Sequence, residues 1–268
     1  MQATILTLLL GSSLLSLTVA APDSKTAAAA ALSVSRSASG GFCTCAGTSY
    51  NASLVLTYDC GDYRLGPTNL FPSLLQAATA TQPDRVVPKL LRGALDYDRL
   101  GGLCPGEWLA KYTNATTGFF IYPDEDGFQL QAQVPPAPVQ MNPQTGLPIE
   151  PAAQSQLEVP ISGIQELERG MLLDRFGKET GQYLAPYGTP FSQRALPPAS
   201  LNPPQGANAT TRYDYHIYRV LKPFDVRSGP IAAWFDQPGQ GTQYFVQNAT
   251  VAGLLRDGFL EKAFVAGQ

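Results

Sequence analysis

Two arginines and one glutamine in the second half of the chain lie among glycine, proline and aromatic residues rather than among charges. Arg175 stands in the run 174–177, Arg194 precedes a Leu-Pro-Pro step, and Gln243 follows the glycine-rich loop 239–242. An arginine in an apolar setting is usually paired with a carboxylate or with a ligand phosphate, and composition alone leaves that choice open. A glutamine amide donates and accepts hydrogen bonds at once, which suits sugar hydroxyls or a bound water. Each motif alone is also typical of a turn beside core aromatic residues.

The sequence lacks the other common catalytic arrangements. It contains neither a Gly-x-Ser-x-Gly elbow nor a Walker-type phosphate loop. Its one histidine, His216, lies in an alternating, strand-like run, where a structural hydrogen bond is the ordinary role. Since no Asp, Glu or His residues have the spacing of metal ligands, no metal site is expected. We interpret the acidic run 124–126 as a turn with solvated charges.

Composition bounds the class of protein. The 268 residues are 44% hydrophobic and 15% charged, with 25 glycines and 23 prolines, which allows one large domain or two small ones. A net charge of -3 gives no basic surplus to neutralise phosphates, so a general nucleic-acid binder is excluded. The composition is typical of a compact, loop-rich, secreted protein.

The first 20 residues have the features of a secretory signal peptide. An apolar, leucine-rich run ends in small residues before Pro22, although no Lys or Arg precedes it. The run is short for a membrane span, and no later stretch is apolar enough for one, so an N-terminal membrane anchor is the weaker alternative. We therefore expect a protein that is secreted, extracellular or held at the cell surface.

Cysteines and glycosylation sequons agree with export. An even number of cysteines in an oxidising compartment predicts two disulfides among Cys43, Cys45, Cys60 and Cys104. The first two are too close in sequence to bridge comfortably, so one is expected to pair with Cys60 and the other with Cys104. N-glycosylation sequons begin at Asn51, Asn114, Asn208 and Asn248.

Shifts in composition divide the chain into five segments. After the signal peptide, residues 1–20, the Ala/Ser-rich residues 21–41 are expected to be disordered. Residues 42–131 carry the cysteines and are interpreted as a disulfide-bonded N-terminal domain. The range 132–163 is rich in proline and glutamine and predicts a linker. A second domain is expected over 164–268.

The second domain predicts an α+β fold with a mostly antiparallel β-sheet. Residues 213–220 alternate in a strand-like way, and 231–235 and 243–247 are short apolar runs bounded by Gly and Pro. Thr250 is expected to cap a helix over 251–263. Short strands with few helices are typical of this class.

The second domain carries a series of short motifs over residues 168–264, at 173–177, 183–186, 194–198, 215–218, 229–232 and 241–243. In the order and spacing of these motifs it resembles the tuberculosis necrotizing toxin (TNT) family, NAD glycohydrolases of bacterial toxins and fungal surface proteins. The cysteine-containing half resembles the fungal members at 45–47, 60–62, 64–67 and 103–105.

This resemblance implies hydrolysis of NAD+ to nicotinamide and ADP-ribose through a ribosyl-cation-like transition state, with NADP+ as a further substrate to test. NAD+ is then a substrate and no cofactor is expected. The essential arginine and glutamine of the family fall on Arg175 and Gln243, and its substrate-binding positions fall on Tyr183, Arg194 and His216. Among the aromatic residues, those expected to stack on nicotinamide or adenine are Phe176, Trp234 and Phe235.

Two alternatives remain open: an ADP-ribosyltransferase or cyclase on the same scaffold, and an inactive glycosylated surface protein. Transferases usually place a glutamate where Gln243 stands, so water is favoured as the acceptor. The presence of both Arg175 and Gln243 argues against an inactive protein. Fungal relatives have an acidic tail with calcium ligands. Here the last acidic residues are Asp257 and Glu261, so no calcium requirement is expected. Those relatives are homodimers, so the resemblance implies a homodimer.

Overall fold

The computed structural model describes residues 42–71, 82–93, 97–133, 157–204 and 212–263, together with residues 144 and 206. The predicted signal peptide, the Ala/Ser-rich segment and the sequon at Asn208 lie outside the described residues. All described residues belong to one compact unit. Among them, no helix is long and apolar enough to cross a membrane.

The described residues contain nine strands in two antiparallel sheets. The smaller sheet pairs β1 (Leu130–Gln133) with β2 (Leu157–Pro160). The larger sheet has the order β3-β7-β8-β5-β4-β6-β9. Its strands are β3 (Gly163–Leu167), β4 (Leu172–Phe176), β5 (Tyr183–Pro186), β6 (Tyr215–Val220), β7 (Phe224–Pro230), β8 (Thr242–Phe245) and β9 (Leu260–Lys262). The α+β class with a mostly antiparallel sheet is therefore confirmed.

Three α-helices accompany these sheets in the described residues: α1 (Gln82–Leu91), α2 (Pro105–Tyr112) and α3 (Val251–Arg256). The predicted cap of α3 is confirmed, because the Thr250 hydroxyl accepts from the Gly253 amide at 3.1 Å. The predicted length of that helix was wrong. The chain turns through Gly258 at φ +70° and then pairs with β6 as strand β9.

Side chains alternate across the larger sheet and form a core on each of its faces. On one face, Phe176 and Ile217 pack with Val87 and Leu91 of α1. On the other face, Leu173, Leu184, Tyr218 and Tyr244 pack with Val251 of α3. Strand β4 is thus covered on both faces, which fixes the position of the side chains at its end.

A third core lies in the N-terminal half and is closed by two disulfides. Cys43 pairs with Cys104, and Cys45 pairs with Cys60. This confirms that Cys60 and Cys104 each take one of the two adjacent cysteines. The bridges flank a core of aromatic and aliphatic side chains: Leu65, Leu100, Trp108, Leu109, Tyr112 and Phe235.

The N-terminal half is bonded to the loop that leads into β8. The Trp108 indole donates to the carbonyl of Phe235 at 3.4 Å, and the Lys111 ammonium lies 2.6 Å from the Asp236 carboxylate. The amide of Gln129 donates to the carbonyl of Pro230 at 2.9 Å. The domain boundaries stay a prediction, but these contacts hold residues 108–129 against the larger sheet.

Candidate active site

An open pocket of about 350 Å³ lies beside the ends of β4, β5 and β8. Five of the eight side chains that the sequence nominated for catalysis or substrate binding line it: Arg175, Phe176, Tyr183, Arg194 and Gln243. Aliphatic side chains from Leu184, Ala185, Leu196 and Ile231 complete the wall, with Asp174. A concave, mostly apolar site with a few convergent polar groups is typical of ligand binding.

Arg175 is held in place by two backbone carbonyls rather than by a carboxylate. Its Nε donates to the carbonyl of Lys178 at 2.9 Å and its Nη1 to that of Tyr183 at 2.6 Å. It forms no ion pair with any described residue. Burial lowers the pKa of the Arg175 guanidinium, because the charged form loses hydration. The site therefore contains a largely desolvated cation that no described carboxylate contacts directly, although Asp214 and Glu179 lie near enough to favour its charged form.

Gly181 makes room for that guanidinium. A Cβ built on Gly181 would lie 2.0 Å from Nη2 of Arg175, far inside van der Waals contact. Sequence reasoning missed this residue, because the requirement comes from a side chain that folds back over the loop. Only a residue without a side chain fits there while Arg175 keeps this position.

Arg194, by contrast, has a carboxylate partner inside the protein. Its Nη1 lies 2.6 Å from Oδ1 of Asp174, and the two side chains are 4% and 0% exposed. Asp174 Oδ2 also accepts from the Gly188 amide at 3.0 Å and from the Tyr215 hydroxyl at 2.8 Å. Burial and the Asp174 carboxylate raise the pKa of Tyr215, which keeps this hydroxyl a donor. Arg194 thus lines the pocket with its charge already balanced.

Gln243 is aimed by a turn from the N-terminal half. It lies in β8 opposite Gly229 of β7, and its Nε2 donates to the backbone carbonyl of Asp126 at 2.8 Å. The turn predicted over 124–126 is confirmed as a single 3-10 turn, Glu125–Gly127. One of its charges is not simply solvated, since Asp126 Oδ2 lies 2.9 Å from Nη1 of Arg227.

Two aromatic rings of the pocket, those of Tyr183 and Phe176, differ in their exposure to solvent. Tyr183 stacks on Phe245 with ring centroids 5.0 Å apart at 21°, and it is 38% exposed, so its other face is open to a ligand. Burial, helped by Asp126, raises the pKa of the Tyr183 hydroxyl. Phe176 is buried edge-on against Phe191, with centroids 5.0 Å apart, and shapes the pocket floor.

Three nominated residues lie outside the pocket lining. His216 is the cross-strand partner of Arg175, and its Nε2 lies 2.7 Å from Oδ1 of Asp214. Trp234 donates from its indole to the carbonyl of Ile121 at 2.7 Å. Phe235 is fully buried in the third core. A stacking platform needs an accessible ring face, so Phe235 packs the protein rather than a ligand.

The acidic side chains that the structure describes near Asp257 and Glu261 are not grouped as a calcium site requires. Among the described residues, no group of three His, Cys, Asp or Glu side chains is placed to hold a metal ion. The two last acidic side chains are engaged by arginines: Asp257 lies 2.8 Å from Arg256, and Glu261 lies 3.1 Å from Arg219. Calcium sites need six to eight oxygen ligands on one ion.

Known proteins resemble this chain over both halves. The tuberculosis necrotizing toxin family model matches residues 166–263. The conidial surface nicotinamide adenine dinucleotide glycohydrolase of Aspergillus fumigatus is 39% identical over 223 residues, which covers 81% of this chain and 75% of that protein.

Two solved structures show fainter likeness. The tuberculosis necrotizing toxin bound to its immunity factor is 20% identical, covers 74% of this chain and 93% of its own, and has a TM-score of 0.41. Tse6 in complex with Tsi6 is 17% identical, covers 39% and 72%, and has a TM-score of 0.28. Likeness at this level says nothing of the activity of this chain. Family membership follows instead from the 39% identity to the fungal glycohydrolase over most of both chains. The chain therefore belongs to the tuberculosis necrotizing toxin family, together with the fungal conidial surface glycohydrolase.

Proposed function

We propose that this chain is a secreted NAD+ glycohydrolase that hydrolyses NAD+ to nicotinamide and ADP-ribose. Its 39% identical relative carries the name of that activity. One observation in the structure carries the proposal: an arginine bonded to backbone carbonyls, with no direct ion pair among the described residues, and an oriented glutamine amide line the same pocket. Such a pair suits a ligand with both phosphates and sugar hydroxyls.

The reaction needs little acid–base chemistry from the protein. Glycosidases use a carboxylic acid to protonate a poor leaving group. The nicotinamide of NAD+ already carries a positive charge, so it departs as a neutral molecule with the electron pair of the bond to C1′. A water oxygen then bonds to C1′ and one proton is released. Among the described lining residues one carboxylate occurs, Asp174, and it is already paired with Arg194, which agrees with this scheme.

Arg175 binds the diphosphate in this proposal. A guanidinium has five N–H groups, and two of them donate to backbone carbonyls, which leaves three for a ligand. Its planar fork matches two phosphate oxygens, and the carbonyls fix it before the substrate arrives. Because the charge is desolvated, its attraction for an anion is stronger than in water.

Gln243 and Tyr183 act at the nicotinamide-ribose end. The carbonyl oxygen of Gln243 accepts from a ribose hydroxyl or from the attacking water, and the free face of Tyr183 stacks on nicotinamide. The pocket is open to solvent on one side, so it holds one end of the dinucleotide while the other extends outward.

Secretion is part of the proposal. Two disulfides require an oxidising compartment, and the sequon residues Asn51, Asn114 and Asn248 are exposed and open to glycosylation. The relative is a conidial surface protein by name. NADP+ as a second substrate and a homodimeric state stay expectations, which competition kinetics and light scattering will check.

Purified glycoprotein incubated with etheno-NAD+ tests the function. We expect fluorescence to rise as nicotinamide separates from the fluorescent etheno-adenine. Chromatography should find the ADP-ribose product and nicotinamide in equal amounts. Arg175→Ala and Gln243→Ala should remove most of the signal. Cyclic ADP-ribose would identify a cyclase, and label on a protein acceptor a transferase. No turnover by a folded protein would identify an inactive surface protein.

A further inference from the structure

We propose that Asp126 and Arg227 are positioning residues that decide which end of the Gln243 amide faces the substrate. This inference rests on the proposed function, because the orientation of the amide matters only if Gln243 acts on the ribose of NAD+. Neither residue lines the pocket, and Asp126 lies 117 positions before Gln243 in the chain.

The orientation of the amide follows from its partner. Nε2 of Gln243 donates to the backbone carbonyl of Asp126 at 2.8 Å. A carbonyl oxygen only accepts hydrogen bonds, so the nitrogen must face Asp126 and Oε1 must point the other way. Within the described residues no donor meets Oε1. The group that meets it is therefore a donor, either a ribose hydroxyl or the attacking water.

The turn that supplies this carbonyl has an unfavourable backbone. Glu125, Asp126 and Gly127 follow one another at φ 52°, 60° and 78°. Residues with a Cβ rarely adopt left-handed conformations, and two in succession persist only when neighbouring structure holds them. The carbonyl of Asp126 stays in position only while the turn is held.

Arg227 holds the turn. Its Nη1 lies 2.9 Å from Oδ2 of Asp126, its Nε donates to the Ser162 hydroxyl at 2.8 Å, and its guanidinium lies 4.7 Å from the ring centre of Phe128. Arg227 belongs to β7, the strand that pairs with β8 beside Gln243. The ion pair thus joins the turn to β7, the neighbour of the strand that carries the Gln243 amide.

Stability is not the main effect of this pair. The Arg227 and Asp126 side chains are 19% and 36% exposed, and ion pairs that reach solvent contribute little to folding. A positioning role is different, because a displacement of the carbonyl lets the amide rotate and lose its transition-state contact. The expected signature is a loss of turnover without an equal loss of thermal stability.

Steady-state kinetics of Arg227→Gln and Asp126→Asn test the proposal. Asparagine tolerates the left-handed turn but removes the charge. We expect kcat to fall about tenfold, and by less than the roughly 10²–10³-fold loss of one preorganised contact, with KM nearly unchanged. Lys111→Gln is the matched control. It breaks the 2.6 Å ion pair with Asp236, which also joins the N-terminal half to the loop before β8, and should leave kcat unchanged.

A double-mutant cycle separates positioning from other roles. If Arg227 acts through Gln243, then Arg227→Gln should cause no further loss in the Gln243→Ala background. Additive losses, or a rise in KM that marks direct binding of the diphosphate, would overturn the inference. If the Gln243→Ala background has too little activity for the cycle, the single variants decide: a fall in kcat with unchanged KM supports positioning, and a rise in KM contradicts it. Wild-type protein without NAD+ hydrolysis refutes the proposed function; active wild type with unaffected Arg227→Gln refutes only this inference.

Discussion

Asp174 and Arg194 form an ion pair of 2.6 Å in the wall of the pocket, with side chains 0% and 4% exposed. The two arginines that look alike in the sequence therefore differ. Arg194 is neutralised by the protein, and it packs 5.1 Å over the ring of Phe176. Arg175 is left for a ligand. The fold thus holds one positive charge ready at the pocket instead of two.

Asp174→Asn should destabilise the protein severely. The substitution leaves the buried Arg194 bonded to the Thr189 carbonyl but without a counter-charge, and breaking a buried ion pair costs about 3–5 kcal/mol. Urea unfolding measures the effect. Arg219→Gln is the control, because its ion pair with Glu261 is 48% and 43% exposed and should contribute about 0–1 kcal/mol. Equal midpoints for the two variants would contradict the structural role of Asp174.

Gly181→Ala should lower activity while sparing the fold. The new methyl group would overlap Nη2 of Arg175, which is the free end of a flexible side chain and can move aside. The guanidinium then leaves its two carbonyls and the pocket. We expect kcat/KM to fall about 10–100-fold, as for a lost charged hydrogen bond, with a nearly unchanged melting temperature. Normal kinetics would show that the position of Arg175 is not critical.

Arg175→Lys should not restore what Arg175→Ala removes. An ammonium is a point charge on a flexible stem and cannot bond two carbonyls and a diphosphate with one planar group. Both variants should lose kcat and raise KM together, because phosphate anchoring serves the ground state and the transition state. Initial rates over a range of NAD+ concentrations measure this. A lysine variant with near-normal kcat/KM would exclude a forked phosphate contact.

Local signals in the sequence identified much of this molecule, and contacts between distant segments supplied the rest. Thr250 is recognisable in the sequence as a helix cap. Because Cys43 and Cys45 are too close in sequence to bridge each other, each was expected to bond to one of the two distant cysteines, Cys60 and Cys104. The end of α3 could not be predicted, because the apolar helical pattern continues past Gly258. Only pairing with β6 makes the residues around Leu260 a strand.

The same limit applied to the site. Arg175 and Gln243 stand out by residue type and setting, but Asp126, Arg227 and Gly181 become visible only when the chain is folded. Phe235 shows the converse error, since an aromatic residue beside a glycine loop looks the same whether its ring packs a core or a ligand.

Removal of calcium should have no effect. The acidic residues closest to the end of the described chain, Asp257 and Glu261, are bonded to arginines rather than gathered around a common point. Titration with a chelator, followed by activity and by melting temperature, measures this. The outcome that would contradict the expectation is a large loss in either quantity that added calcium reverses.

The two disulfides should stabilise the fold to different extents. The Cys43–Cys104 bridge spans 61 residues and Cys45–Cys60 spans 15, so the loop-entropy model predicts about 4 and 3 kcal/mol. Both bridges support the core that contains Trp108 and Phe235, which in turn anchors the loop before Gln243. Cysteine-to-alanine pairs should therefore lower the melting temperature more for the long bridge, while folded variants at 25 °C retain most activity. Thiol titration of the native protein is the control and should find no free cysteine. If the short bridge proves the more stabilising, strain or residual structure in the unfolded chain outweighs loop length.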